Sequence, residues 1–134
     1  MTIRVLVEKK NLRGSTLVTG FHGIGQTGYI ATSYLIHALK ADRIGFVEVA
    51  NPPPWAGTGE GGLVTPFEVY AKAKTVLVKL EFSPHRSEEA EFAKGVANWA
   101  IKGKFKDAIL VGGLDIAFKN NKHDFCVVPT GAYL

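Results

Sequence analysis

The chain has 134 residues, enough for one domain with its own core, since independent cores come in units of about 100 to 150 residues. Hydrophobic residues make up 46% of it and charged residues 21%, a balance that excludes long disorder. The net charge of +4 and pI of 9.2 come from Lys and Arg scattered along the chain, which describes a solvated surface and not a nucleic-acid footprint.

Cys126 is the single cysteine, so an intramolecular disulfide and a site built on paired thiolates are both impossible. Its flanks, Asp124-Phe125-Cys126-Val127-Val128, predict a strand residue and an inert core thiol. The four histidines have no ligand spacing, so no metal is expected. Nothing has the length of a signal peptide or of the roughly 20 apolar residues that span a membrane, so a cytoplasmic protein without a membrane partner is expected. One Gln and one Met beside abundant Lys and Glu lean toward a thermophile.

In chain order, Ile3 to Val7 alternates as a first strand, Asn11 to Gly14 turns, and Thr16 to Thr19 resumes as a β-branched strand. A Gly-rich turn from Gly20 to Gly28 leads into a helix over Tyr29 to Leu39. Ile30, Ser33, Tyr34 and His37 share one of its faces and Ala31, Leu35 and Ala38 another, which predicts a largely covered helix. Ile44 to Val49 is the nearly unbroken apolar strand expected inside a parallel sheet. Asn51 to Gly62, with three prolines and four glycines, reads as a surface loop outside any ladder, and Phe67 to Ala71 as a short or edge strand. Thr75 to Phe82 alternates firmly. A helix follows from Ser87 to about Lys102, with Phe92, Val96, Trp99 and Ala100 inward and Gly103 as its stop. Ala108 to Val111 and Phe125 to Val128 are further strands. Strands alternating with helices predict an α/β three-layer sandwich, a single domain over residues 1–134 with a mostly parallel sheet.

Two readings compete for the Gly-rich turn. Gly23, Gly25 and Gly28 have the G-x-G-x-x-G spacing whose backbone can approach a pyrophosphate at a helix N-terminus, and Glu48 ends the next strand where a ribose-binding acid sits. On that reading the chain is a nucleotide- or small-ligand-binding enzyme using Gly20, Phe21, His22, Gly23, Gly25, Gly28 and Glu48, with His22 as a candidate base. Against it, Gly20-Phe21-His22 intervenes between strand and first glycine, no acid or nucleophile is tied to His22 by spacing, and glycines between strand and helix also serve close packing. Asp115, after Gly112-Gly113, reads as a turn residue. Trp55, between prolines and glycines, is a large aromatic on a loop and a candidate interface anchor.

A longer pattern favours the second reading. Leu17-Val18-Thr19-Gly20-Phe21-His22-Gly23-Ile24-Gly25-Gln26-Thr27-Gly28-Tyr29-Ile30-Ala31 is followed by Tyr34-Leu35-Ile36, Leu39 and Ile44-Gly45-Phe46-Val47-Glu48-Val49. Further on come Pro66-Phe67-Glu68-Val69-Tyr70, Trp99-Ala100 and Leu110-Val111-Gly112-Gly113-Leu114. Together these resemble the proteasome assembly chaperone family of the second-subunit type, over roughly Gly14 to Leu114. The resemblance implies a nucleoside-phosphorylase-like α/β sandwich of archaeal kind, non-enzymatic and without cofactor, that self-associates and engages proteasome α-subunits. Family members carry Asp or Asn in the turn where this chain has His22 and Gln26, and they continue beyond the last strand. The chain is thus read as a short or truncated form whose sheet has an unfilled edge that an identical chain can complete. Its last residues, Ala132-Tyr133-Leu134, fit the hydrophobic-Tyr-any tail that docks between α-subunits through a free carboxylate and the penultimate Tyr.

Overall fold

Alternation along Thr75–Leu80 sets the frame of the molecule. Val76, Val78 and Leu80 point to one side, Leu77 and Lys79 to the other, and all but Lys79 are buried, so this strand needs cover on both faces. A computed structural model describes residues 3–8, 11–59, 62–118 and 124–130. It contains strands β1 (Arg4–Val7), β2 (Thr16–Thr19), β3 (Asp42–Glu48), β4 (Gly57–Gly59), β5 (Gly62–Val64), β6 (Phe67–Lys72), β7 (Thr75–Leu80) and β8 (Asp107–Leu110). Helix α1 spans Thr27–Leu39 and α2 spans Glu89–Lys102.

Six strands form one sheet in the order β1-β3-β6-β7-β2-β8, and β4 and β5 form a separate hairpin. β2 runs parallel to β7 and to β8, whereas the β1–β3, β3–β6 and β6–β7 ladders are antiparallel. The sheet is therefore mixed, not mostly parallel. The error has a physical cause: an apolar run such as Ile44 to Val49 reports burial, and burial does not fix the direction of a neighbour. β6 is likewise no edge strand, because it lies between β3 and β7 and its Phe67 and Val69 are core residues. Its turn into β7 carries Ala73 with φ of 51°, so a left-handed turn is made here without the Gly or Asn that advertises one.

One helix packs on each face. On the first, Ile3, Val47, Phe67, Val69, Val76, Val78 and Leu80 pack against Phe92, Val96 and Ala100 of α2, with the Phe67 and Phe92 rings 5.0 Å apart. Trp99 is half-buried and stacks edge-on against Phe105 at 5.0 Å. On the other face α1 covers β2 and β7, where Val18 and Leu77 are buried. The helix–sheet–helix layering holds. A six-stranded sheet is roughly 24 Å wide and a helix with its side chains about 10–12 Å, so each helix leaves about half of its face without helical cover.

The α1 surface differs from the expectation. Thr32 and Gly28 are buried, but Ile30 and Tyr34 stand in solvent, Tyr34 at 68%. The predicted start at Ser87 shifts as well, since the Ser87 hydroxyl is engaged by His85 Nδ1 at 2.7 Å and Glu88 takes the N-cap position. The buried Glu88 carboxylate accepts from the Ala50 and Asn51 amides at 2.8 and 3.1 Å, tying α2 to the end of β3. Phe125 to Val128 is not a strand, and Cys126 is exposed rather than a core thiol. Asn51 to Gly62 includes β4 and the start of β5, a hairpin its glycines concealed.

Candidate functional site

The turn after β2 is a meeting of backbones. A Cβ on Gly20 would lie 2.6 Å from both the Gly28 Cα and the Val111 carbonyl oxygen, and one on Gly28 would lie 2.7 Å from the same oxygen. A Cβ on Gly113 would sit 2.1 Å from the Ile24 carbonyl oxygen. The exit of β2, the start of α1 and the exit of β8 thus converge where only glycine fits. Gly25 is required for a different reason, its φ of 66°, and Gln26 follows it in the same left-handed region as the N-cap of α1. Gly23 is extended with open space around it, so nothing in the fold demands glycine there.

The acid that a dinucleotide turn needs is not gathered beside it. Gly28, the third glycine of the spacing, packs against the Val111 carbonyl oxygen, the close helix–strand contact that this position makes in either reading. Glu48 is on β3, separated from β2 by β6 and β7, about 14 Å across the sheet, and its carboxylate pairs with Arg4 at 2.6 Å. The sequence placed Gly20 to Gly28 and Glu48 in one site; the fold puts them in two.

His22 is engaged structurally. Its Nε2 donates to the Leu80 carbonyl oxygen at 2.7 Å, and its ring lies 5.2 Å from that of Tyr29. Tyr29 in turn donates to Glu81 Oε2 at 3.0 Å, and Glu81 Oε1 pairs with Lys79 at 2.8 Å while the Lys79 ammonium sits 5.5 Å from the Tyr29 ring centre. Burial works to lower the Lys79 pKa, but the hydrogen bond and charge of Glu81 outweigh it and hold the ammonium above its ordinary value. The chain of contacts clamps the turn to the end of β7. Phe21 meets Phe92 edge-on at 6.2 Å and, with His22, Ser83, Pro84, Glu89 and Ala90, lines an open cavity of about 420 Å³ at the carboxyl ends of β2 and β7. That is where ligands bind in open α/β sheets. Here His22 Nε2 is already committed, which leaves Glu89 as the acid in the lining.

Glu68, inside the Pro66 to Tyr70 element, is a residue whose role the sequence reading did not reach. It is 2% exposed, accepts from the Thr65 amide and pairs with Arg43 Nε at 2.6 Å. Beside it, burial pushes the Tyr70 hydroxyl above its ordinary pKa, and the Glu68 and Glu81 charges add to that against Lys79 and Arg43. The available signal was an acid flanked by Phe67 and Val69 in a buried strand, where an ionised group needs a partner.

Trp55 is half-buried, edge-on to Phe82 at 5.5 Å and packed over Gly57, so its ring braces the β4–β5 hairpin as well as facing outward. Asp115 takes the turn role expected of it, accepting from the Ala117 amide at 2.9 Å. Ala132, Tyr133 and Leu134 lie outside the described residues. No group of three or more potential metal ligands occurs among the described residues, and no described helix is long and apolar enough to cross a membrane.

A mixed α/β sheet with one helix per face and a glycine-packed strand-to-helix junction defines the class. The sequence profile of the PAC2 family matches residues 17–133, and the chain belongs to that family. No curated protein matches the chain. Among solved structures it is similar to Pyrococcus furiosus PbaA, described as an archaeal homolog of proteasome-assembly chaperone, with TM-score 0.78 and 24% identity over 89% of this chain and 52% of that one. It is also similar to P. furiosus PbaB, described as an archaeal proteasome activator, with TM-score 0.66 and 17% identity over 84% of this chain and 52% of that one. A Thermoplasma acidophilum protein of unknown function matches with TM-score 0.66 and 24% identity, over 77% of this chain and 43% of that one. The chain spans about half the length of these relatives.

Proposed function

We propose that this chain is a non-enzymatic, cytoplasmic proteasome assembly chaperone or proteasome-binding factor of archaeal kind that self-associates and engages proteasome α-subunits. Membership of the PAC2 family is the observation that carries the reading, and the likeness to PbaA and PbaB supports it. The site geometry agrees: Gly20 and Gly28 are taken up by backbone packing, Glu48 by Arg4, and His22 by the Leu80 carbonyl. Docking is proposed for Ala132, Tyr133 and Leu134, with the Trp55 loop as a second contact.

Capture of purified α-subunits by the immobilised chain tests this. Binding is expected, and it should fall at least tenfold when the last three residues are deleted or Tyr133→Ala is introduced. Undiminished binding after deletion removes the tail from the account, and no binding by the intact chain removes the α-subunits. Thermal shift with NAD, ATP and nucleosides addresses the enzyme alternative at the Gly20 to Gly28 turn. A ligand that binds the folded state must raise its stability, so a concentration-dependent rise in Tm would restore that alternative.

A further inference from the structure

Cations that lie far apart along the sequence are gathered by the fold at one end of the sheet. β2 runs between β7 and β8 and parallel to both, so the turns leading into these three strands meet there. Backbone hydrogen bonds tie the turns together: the Gly14 amide donates to the Lys104 carbonyl oxygen at 2.9 Å, the Thr16 amide to that of Lys74 at 2.8 Å, and the Lys106 amide to that of Ser15 at 2.8 Å. Arg13, Lys72, Lys74, Lys102, Lys104 and Lys106 are all exposed on these turns, and none of them makes an ion pair among the described residues. Neighbouring strands lie about 4.8 Å apart, so the three turns span about 10 Å, close to the Debye length at physiological salt, and the fields of the six cations add. Asp107 offsets one of them, half-buried and accepting from the Thr16 hydroxyl at 2.6 Å, and Asp42 lies beyond β6 between Lys40 and Arg43. The other end of β7 has the opposite sign, with Glu81, Glu88 and Glu89. Helix dipoles explain part of the pattern, since Lys102 and Lys104 stand where α2 ends and its carbonyls favour a cation. Arg13, Lys72, Lys74 and Lys106 serve no helix end.

We propose that this end of the sheet docks an extended acidic segment of a partner protein, whose carboxylates spread over the six cations. The backbone decides against a compact phosphate. The amides of Gly14, Ser15, Thr16, Lys104 and Lys106 are spent on carbonyls within the turns and are not free to converge on one. Single-stranded nucleic acid needs aromatic faces for its bases, and the two rings beside these turns, Trp99 and Phe105, are half-buried and stacked on each other at 5.0 Å. What remains is a set of ammonium groups on flexible stems, which suit carboxylates held in no fixed geometry. The proposal stands on the placement of charge and is independent of any proteasome partner.

Fluorescence anisotropy of a labelled poly-glutamate peptide titrated with the full chain tests it. Saturable binding is expected, weakening as salt rises from about 0.01 to 0.1 M and the Debye length falls from about 30 to 10 Å. Lys72→Gln combined with Lys104→Gly should weaken binding at least about fivefold, since each exposed charge contributes modestly. Arg86→Gln combined with Lys94→Gln removes the same charge from elsewhere on the surface and should weaken binding by less than about twofold. Lys104 has a φ of 55°, so glycine relaxes the backbone there and keeps the first variant folded, which its circular dichroism checks. Lys72→Gln with Lys106→Gln should repeat the loss. Any of three results would overturn the proposal: no binding of poly-glutamate at low salt, equal losses in the charge-matched variants, or tighter binding of single-stranded or duplex DNA than of poly-glutamate.

Discussion

Gly28→Ala isolates the claim that the Gly-rich turn is a packing device. Two effects of known size oppose each other. Alanine is better than glycine in a helix by about 0.8–1 kcal/mol, so an exposed α1 would gain from the change. The new methyl would lie 2.7 Å from the Val111 carbonyl oxygen and 2.9 Å from Gly20, both of them backbone, so no rotamer relieves the overlap. Overpacking of this kind costs about 1–3 kcal/mol, and with the strands on both sides fixed by β2–β7 and β2–β8 pairing the upper part of that range applies. A net loss of about 1–2 kcal/mol follows. Gly23→Ala is the control, since an extended glycine with open space around it should change stability by less than about 0.5 kcal/mol. Urea unfolding followed by tryptophan fluorescence measures both, provided the m-value is unchanged. Equal midpoints for the two variants, or a Gly28→Ala protein more stable than the parent, would refute the packing argument.

Glu68→Ala should destabilise by about 1–3 kcal/mol, because the part-buried Thr65 amide loses its acceptor, while the part-exposed Arg43 can turn to water and keeps the loss below that of a fully buried pair; an unchanged urea midpoint would contradict it. Stability should fall as the pH rises above about 10. The raised Tyr70 and Lys79 values favour their protonated forms in the folded state, so each contribution is complete below the ordinary pKa and is lost on the way up through the folded one. Glu81→Gln, which removes the Lys79 partner, should flatten this alkaline loss, and a profile identical to the parent's would count against the assignment. Trp55→Ala should lower stability by roughly 1 kcal/mol through lost packing on Phe82 and Gly57. Melting curves of that variant superimposable on the parent's would show that the ring does not brace the hairpin.

Much of the architecture was legible because burial leaves a period in the sequence. β2, β7 and α2 were placed within a residue or two by alternation and by helical spacing of Phe92, Val96 and Ala100. Pairing direction was not legible. β3 is apolar because it is buried, and its two neighbours, both antiparallel, are chosen by the turns and by register with β1 and β6. The β6–β7 turn was hidden because Ala73 adopts a left-handed conformation without the usual residue, and α1 ends the same way at Lys40. In the site, Gly20 and Gly28 could be read as packing glycines, but the third partner, Val111, is distant in sequence and belongs to a strand whose position beside β2 no local pattern declares. Phe125 to Val128 has the composition of a strand but pairs with no strand among the described residues, so composition alone misplaced it.

The position of β2 between β7 and β8 bears on how the chain is made. Thr16 pairs with Thr75 and with Asp107, so β2 leaves the ribosome well before either of the two strands it pairs with. Translation at about 5–20 residues per second leaves Leu17 and Val18 unshielded for several seconds, whereas the β6–β7 ribbon can close as soon as it is synthesised. β2 can join the β6–β7 ribbon once β7 is made, and β8, which pairs with β2, is added after it.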